Sequence, residues 1–262
     1  MRYLSYLLIF LFLVQMCIVQ AEAPNPTNIV KKCIAAHGGE KNFNDIHDIY
    51  AKLLLKSYSK DGIFENTLYE YYRLPHFIRM DILPPQGAGI SIAWDGNSMY
   101  QYANNQQQKS DKQEDVDQMQ ESLRFMKLLI LTNLLKSDSK LKYEQYQAKK
   151  NIHVISQTDS QGEKVWLLID GKTFRLCGAK FFLAGEQANE KKVAYNVLFV
   201  EHHQFGQLVL PREARLYRGS ELVMEAKISL AKTNIIENGN DFFSNLSQKP
   251  LLKKETKRNY RQ

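Results

Sequence analysis

The sequence predicts a mainly β (α+β) protein whose strands follow one another as an antiparallel meander. Strand-length segments of alternating apolar and polar residues succeed one another from residue 46 onward. The breaks between them are Asp-Gly and lone Gly turn signals, the connections of neighbouring antiparallel strands. Helical periodicity is confined to a short stretch after residue 25 and a longer one over 119–136.

The 262 residues suffice for one large domain or two small ones, with enough apolar content for a core. Residues 1–23 carry Arg2, an apolar run, and small residues at Ala21 and Ala23 that suit cleavage, so they read as a secretory signal peptide. Two alternatives stay open: an uncleaved N-terminal membrane anchor, and lipidation at Cys17, where Met16 stands in place of the small residue such signals want. An exported compartment would permit a disulfide between Cys33 and Cys177, whose distance in sequence leaves the pairing open.

In "NPTNIVKKCIAAHGG", Asn25 reads as an N-cap with Pro26 at the first helical position, and Ile29, Val30, Cys33 and Ile34 share one face. His37 ends this helix, and Gly38-Gly39 supplies its stop. The context argues against a phosphate cradle, because such a glycine motif follows a strand and opens a helix. "DIYAKLLLKSYS" places Ile49, Ala51, Leu53 and Leu55 on one side and forms a hairpin with "GIFENTLYEYYRL"; "HFIRMDIL" and "AGISIAWDGNSMYQYA" add three more strands. Residues 103–118 read as a polar exposed loop. The helix expected over 119–136 is apolar almost all round in its later half, so it must be buried or cover something apolar, and its apolar run is too short to span a bilayer. Strands resume in "KYEQYQAKKNIHVISQTDS", "EKVWLLIDGKTFRLCGAKFFL", "KKVAYNVLFVEHHQF", "QLVLPREARLYRG" and "ELVMEAKISLAKTNI".

No repeat, Pro-rich linker or compositional break divides residues 24–248, and one domain is the economical reading. Of the formal net charge of +7, +5 lies in residues 249–262, "KPLLKKETKRNYRQ", which leaves the body nearly neutral. A nucleic-acid protein carries its basic residues on a folded face. A terminal run reads instead as a solvated, disordered tail, with anionic lipid as a second reading. No nucleic-acid partner is expected.

Catalytic patterns are scarce. There is no G-x-S-x-G elbow, and the Asp-Gly pairs at 95 and 170 are explained by turns. His47, His76, His153, His202 and His203 form no HExxH or CxxC arrangement, so no metal or other cofactor is expected and each histidine reads as an ordinary surface or strand residue. His202 and His203 would face opposite sides of a strand.

The stretches "IVKKCIAAHGGEKNFNDIHDI", "YYRLPHFIRMDI", "AWDGNSMYQY", "FGQLVLPREARLY" and "KTNIIENGNDFF", in that order, resemble the periplasmic lipoprotein-sorting carriers of the LolA/LolB type over about residues 27–244. The resemblance implies an incomplete antiparallel β-barrel covered by helices, with the first helix and the 119–136 helix lying over an apolar cavity for an acyl chain. It puts forward Met119, Leu123, Met126, Leu128, Leu131 and Leu135 as cavity residues. In those carriers an arginine directly before a proline helps hold the lid. Here Arg73 is followed by Leu74 and then Pro75, and in a regular strand that displacement turns the side chain to the other face, so the role of Arg73 stays open. Arg79 reads equally well as a surface charge.

The expected function is non-enzymatic: a periplasmic carrier or chaperone shielding an acyl lipid or lipoprotein, in transient contact with membrane or envelope proteins. The alternatives are an exported interaction protein whose barrel is filled by its own side chains and, third, a hydrolase.

Overall fold

Among the described residues, thirteen strands pair antiparallel in a single open sheet, ordered β6-β5-β4-β3-β2-β1-β13-β12-β11-β10-β9-β8-β7. In chain order they are β1 (Asp48–Ser59), β2 (Gly62–Arg73), β3 (Phe77–Leu83), β4 (Ile90–Trp94), β5 (Met99–Ala103), β6 (Gln106–Ser110), β7 (Lys140–Gln147), β8 (Ile152–Thr158), β9 (Lys164–Asp170), β10 (Leu176–Leu183), β11 (Val193–Phe205), β12 (Leu208–Arg218) and β13 (Glu221–Thr233). The computed structural model describes residues 24–113, 115–116, 119, 130–136, 140–158, 162–183 and 192–253. The expected leader and most of the expected tail lie outside them. No described helix is long and apolar enough to cross a membrane.

The sheet is a meander whose first and last strands meet in its middle, where β1 pairs with β13. Its free edges, β6 and β7, are consecutive in sequence, and the chain between them is the segment in which the long apolar helix was expected. Its described remnants differ from one continuous helix: Met119 is helical, whereas Leu131–Leu135 form a 3-10 turn. That turn buries Leu131 and Leu134 together with Ile130 against the first helix and the inner side of β8 to β12.

Helix α1 (Pro26–Ala36) begins as the sequence indicates, with the Asn25 side chain accepting from the Thr27 amide and Pro26 at its first position. It ends in a Schellman arrangement. The Gly39 amide donates to the Ile34 carbonyl at 2.9 Å and the Gly38 amide to that of Ala35 at 3.3 Å, with Gly38 and Gly39 at φ 118° and 88°. Gly38 has a second reason to be glycine, since a Cβ there would run into the Gln207 carbonyl oxygen between β11 and β12. The short helix α2 (Glu40–Asn44) follows and buries Phe43.

Three local readings change. The polar stretch expected as a loop over 103–118 contains edge strand β6, which turns back from β5 through Asn104 and Asn105, both left-handed. An Asn-Asn pair adopts positive φ readily, and an edge strand needs neither a buried face nor a second ladder. The apparently continuous "KYEQYQAKKNIHVISQ" is a hairpin turning at Ala148–Lys150, with Asn151 at φ 55° doing what a glycine usually does. Arg79, read equally as a surface charge, is 3 % exposed.

Arg79 is buried because the chain after β13 folds back on the outer face of β1 to β3. There Tyr50, Tyr71, Ile236, Phe242 and Phe243 form a separate core cluster. The Arg79 guanidinium donates to the carbonyls of Phe242 (3.3 Å), Leu246 (3.2 Å) and Gln248 (3.0 Å), pairs with Asp81 at 2.9 Å, and lies 4.3 Å from the Phe242 ring centre. A planar five-donor fork is suited to organising irregular backbone that has no ladder partner. The segment continues into the expected basic tail: the Glu237 amide donates to the Leu251 carbonyl at 2.8 Å, the Lys253 amide to that of Ile235 at 2.9 Å, and Leu252 packs on the aromatic cluster.

Candidate functional site: an apolar cavity beneath the helices

The inner face of the sheet is the side on which β1 places Ile49, Ala51, Leu53 and Leu55, as the alternation in its sequence requires. Hairpin register carries that side across the sheet. Ala51 stands opposite Glu70, Leu53 opposite Leu68 and Ile49 opposite Tyr72. Met80 and Ile82 of β3 extend the wall on one flank, and Met224, Ala226 and Ile228 of β13 with Leu210, Ala214 and Leu216 of β12 on the other.

These side chains do not meet in the middle. They enclose a cavity of about 650 Å3 roofed by His37 at the end of α1, Phe43 of α2, Ile46, Ile130 and Leu131. That size falls within the range of small-molecule sites, roughly 300–1,000 Å3, and the lining is overwhelmingly hydrocarbon. The small residues Ala51, Ala214, Ala226 and Ala231 explain much of the space: the alternation is kept, but the volume at these positions is not filled.

The roof is tied to the floor by a buried histidine. His37 is 2 % exposed; its Nε2 accepts from the Leu176 amide at 3.0 Å, so Nδ1 carries the proton and donates to the Val209 carbonyl at 2.5 Å. His202 donates from Nε2 to the Leu176 carbonyl at 3.0 Å and meets His37 edge-on, with ring centres 5.2 Å apart. His37 was read from sequence as a helix end only, and the histidines in general as ordinary residues; here it is the clasp between α1, β10 and β12. Burial pushes its pKa down to about 4, with His202 and Arg175 adding to the effect against the Val209 hydrogen bond.

Two polar groups stand in the wall itself. Glu70 is partly uncovered, but the surface it leaves open faces the cavity, so its carboxyl behaves as a buried one: desolvation raises its pKa to about 7, offset in part by the neighbouring Tyr72 hydroxyl. Burial, and then the neighbouring Glu70, hold the Tyr72 phenol well above its ordinary value. Sequence reasoning passed over both. The signal was present: a hairpin turning at Lys60-Asp61 pairs Ser59 with Gly62, and counting back along β2 sets Glu70 opposite Ala51.

The candidates named from sequence separate into groups. Leu131 lines the cavity, and Leu135 packs at the edge of the same core. Met119 lies in another cluster with Tyr72, Ile78 and Trp94. Leu123, Met126 and Leu128 fall outside the described residues. The Arg73 guanidinium donates to Asn240 Oδ1 (2.9 Å) and to the carbonyls of Ile236 (3.2 Å) and Asn238 (2.7 Å), away from the cavity lining. Cys33 and Cys177 are free thiols; burial, and secondarily Cys177, push Cys33 up to about 12. Asp95 and Asp170 accept from the amides of their own turns. Among the described residues no three His, Cys, Asp or Glu side chains gather as a metal site.

No family model and no curated protein matches the sequence. Among solved structures, the chain is similar to a LolA superfamily protein from Nitrosomonas europaea, with a TM-score of 0.56 at 12 % identity over 86 % of this chain and 100 % of that one. It is also similar to a DUF1329 family protein from Desulfovibrio piger, with a TM-score of 0.55 at 10 % identity over the same shares. At such identities the likeness is one of backbone architecture. With its open antiparallel sheet and helices across the concave side, the chain has the LolA-like fold.

Proposed function

We propose that this protein is a non-enzymatic carrier or chaperone that shields an acyl chain of a lipid or lipoprotein in the cavity, working in the periplasm after export. The observation that carries the reading is the cavity itself: a hydrocarbon-lined space under a roof held to the sheet by hydrogen bonds. Empty apolar space forfeits dispersion contacts and is costly to a core, so its presence favours an occupant. Each methylene transferred gains about 0.8 kcal/mol, so a chain of about sixteen carbons has on the order of 12 kcal/mol to offset ordering and roof-opening costs. The leader read in residues 1–23 supports export. The basic residues after 248 suit transient contact with an anionic membrane or envelope partner.

Delipidated protein is expected to bind a fluorescent acyl probe saturably and to release it to natural acyl lipids. Ala226→Phe, which fills the cavity without adding charge, and Leu131→Asp, at the roof, should each weaken binding by at least about tenfold, the loss of two to three methylene contacts. Cooperative melting of both variants is the control. Folded wild-type protein that binds no acyl probe would overturn the reading in favour of an interaction protein with an unoccupied barrel.

A further inference from the structure

The acyl-carrier reading assigns no task to Glu70, which among the described residues is the one carboxyl group lining the cavity. Glu70 sits at mid-strand in β2, on the inner face, with Ala51 of β1 and Met80 of β3 beside it and Leu68 and Tyr72 before and after it. The arginine and aspartate nearest on β3, Arg79 and Asp81, belong to the outer face, where they pair with each other and with the returning C-terminal segment. Among the described residues, His37 and Lys232 are the other titratable groups lining the cavity besides Tyr72, and neither figures among the influences on the Glu70 carboxyl. A purely hydrocarbon ligand gains nothing from a carboxylate there, and the carboxylate costs desolvation. An alkyl carboxylate would add like-charge repulsion, while a cation would recover the cost through a charge-assisted hydrogen bond in a low dielectric.

We propose that Glu70, steadied by the Tyr72 hydroxyl, is a polar anchor inside the cavity that takes the protonated amine head of an amphiphile whose hydrocarbon tail lies along the apolar wall. The proposal rests on the reading of the cavity as a hydrocarbon site and adds to it the chemistry of the head. The raised pKa of Glu70 is consistent with a carboxyl that ionises when a cation arrives. Amine binding should therefore weaken as pH falls below about 7, because the carboxyl takes a proton and the ion pair is lost.

The test displaces a fluorescent acyl probe from delipidated full-length protein at about pH 8, where Glu70 is ionised, using dodecylamine, dodecanol and dodecanoate below their micelle concentrations. Dodecanol reads the hydrocarbon site alone. Dodecylamine is expected to bind at least about tenfold more tightly than dodecanol, in keeping with a hydrogen bond to a charged group, and dodecanoate more weakly than either. Glu70→Gln, which keeps the shape, should bring the amine and the alcohol to within about twofold of each other; Tyr72→Phe should reduce the amine preference in part. Equal affinity of wild-type protein for amine and alcohol, or a preference for dodecanoate, would overturn the anchor and leave the carrier reading standing. Failure of all three to displace a probe, with the protein folded, would overturn both.

Discussion

At the scale of single residues, the histidine at the end of α1 has the clearest consequence. His37 is neutral in the fold because one ring nitrogen must accept from Leu176 while the other donates to Val209. Its pKa is about 4 in the native protein against 6.5 for the ordinary side chain, so between those values the unfolded chain binds a proton that the native one refuses. The stabilisation is complete above about pH 6.5 and is lost as pH falls towards 4, by up to on the order of 3 kcal/mol. His202, also lowered chiefly by burial, and the neighbouring Arg175 charge act in the same direction. Denaturant titrations across this range should show stability falling with acid. His37→Asn, whose amide can replace the Nδ1 donor to Val209 and which has no proton to gain, should flatten the slope. An unchanged slope would show that the acid sensitivity lies elsewhere.

At the scale of elements, the C-terminal segment is a second cover on the side of the sheet away from the cavity. It has little regular structure, and its carbonyls are met by Arg73 and Arg79, while the Asp48 carboxylate accepts the amides of Ile235 (2.9 Å) and Ile236 (3.2 Å). Arg79→Met would leave three carbonyls and Asp81 without the guanidinium and is expected to cost roughly 3 kcal/mol, read as a lowered urea midpoint. Truncation after Gln248 removes Leu251 and Leu252 with their pairing to residues 235–237, and should lower the melting temperature by several degrees. Truncation after Lys253 should leave it unchanged. Equal melting of the two truncated proteins would mean that the Leu252 contact contributes nothing.

At the scale of the whole molecule, the order of strands makes the centre of the sheet from the two ends of the chain. β1 and β13 are joined along nine residue pairs, whereas among the described residues β6 and β7 each have one neighbour. Hydrogen exchange should therefore be slowest in β1, β12 and β13 and fastest in β6 and β7, the latter approaching the rate of local fraying. Comparable protection in β6 and β1 would contradict a sheet with two open edges. Because the central pairing joins residues far apart in sequence, folding is also expected to be slow for the chain's size, measurable by stopped-flow refolding.

The strands of this protein were legible because their evidence is local. Alternation in β1, the Asp-Gly turns at 95 and 170, and the Asn25-Pro26 start and Gly38-Gly39 stop of α1 each depend on a few neighbouring residues, and the structure has them where the sequence implied. Edge strand β6 and the Asn151 hairpin were missed where asparagine stood for glycine and no apolar face marked the pattern. The concave cavity could be expected only through family resemblance, since a missing volume belongs to no residue: it arises where Ala51, Ala214, Ala226 and Ala231, distant in sequence, come to face one another. The burial of Arg79, the clasp at His37 and the carboxyl of Glu70 in an apolar wall were likewise decided by the tertiary structure, because the energy of a polar group depends on what long-range pairing places around it.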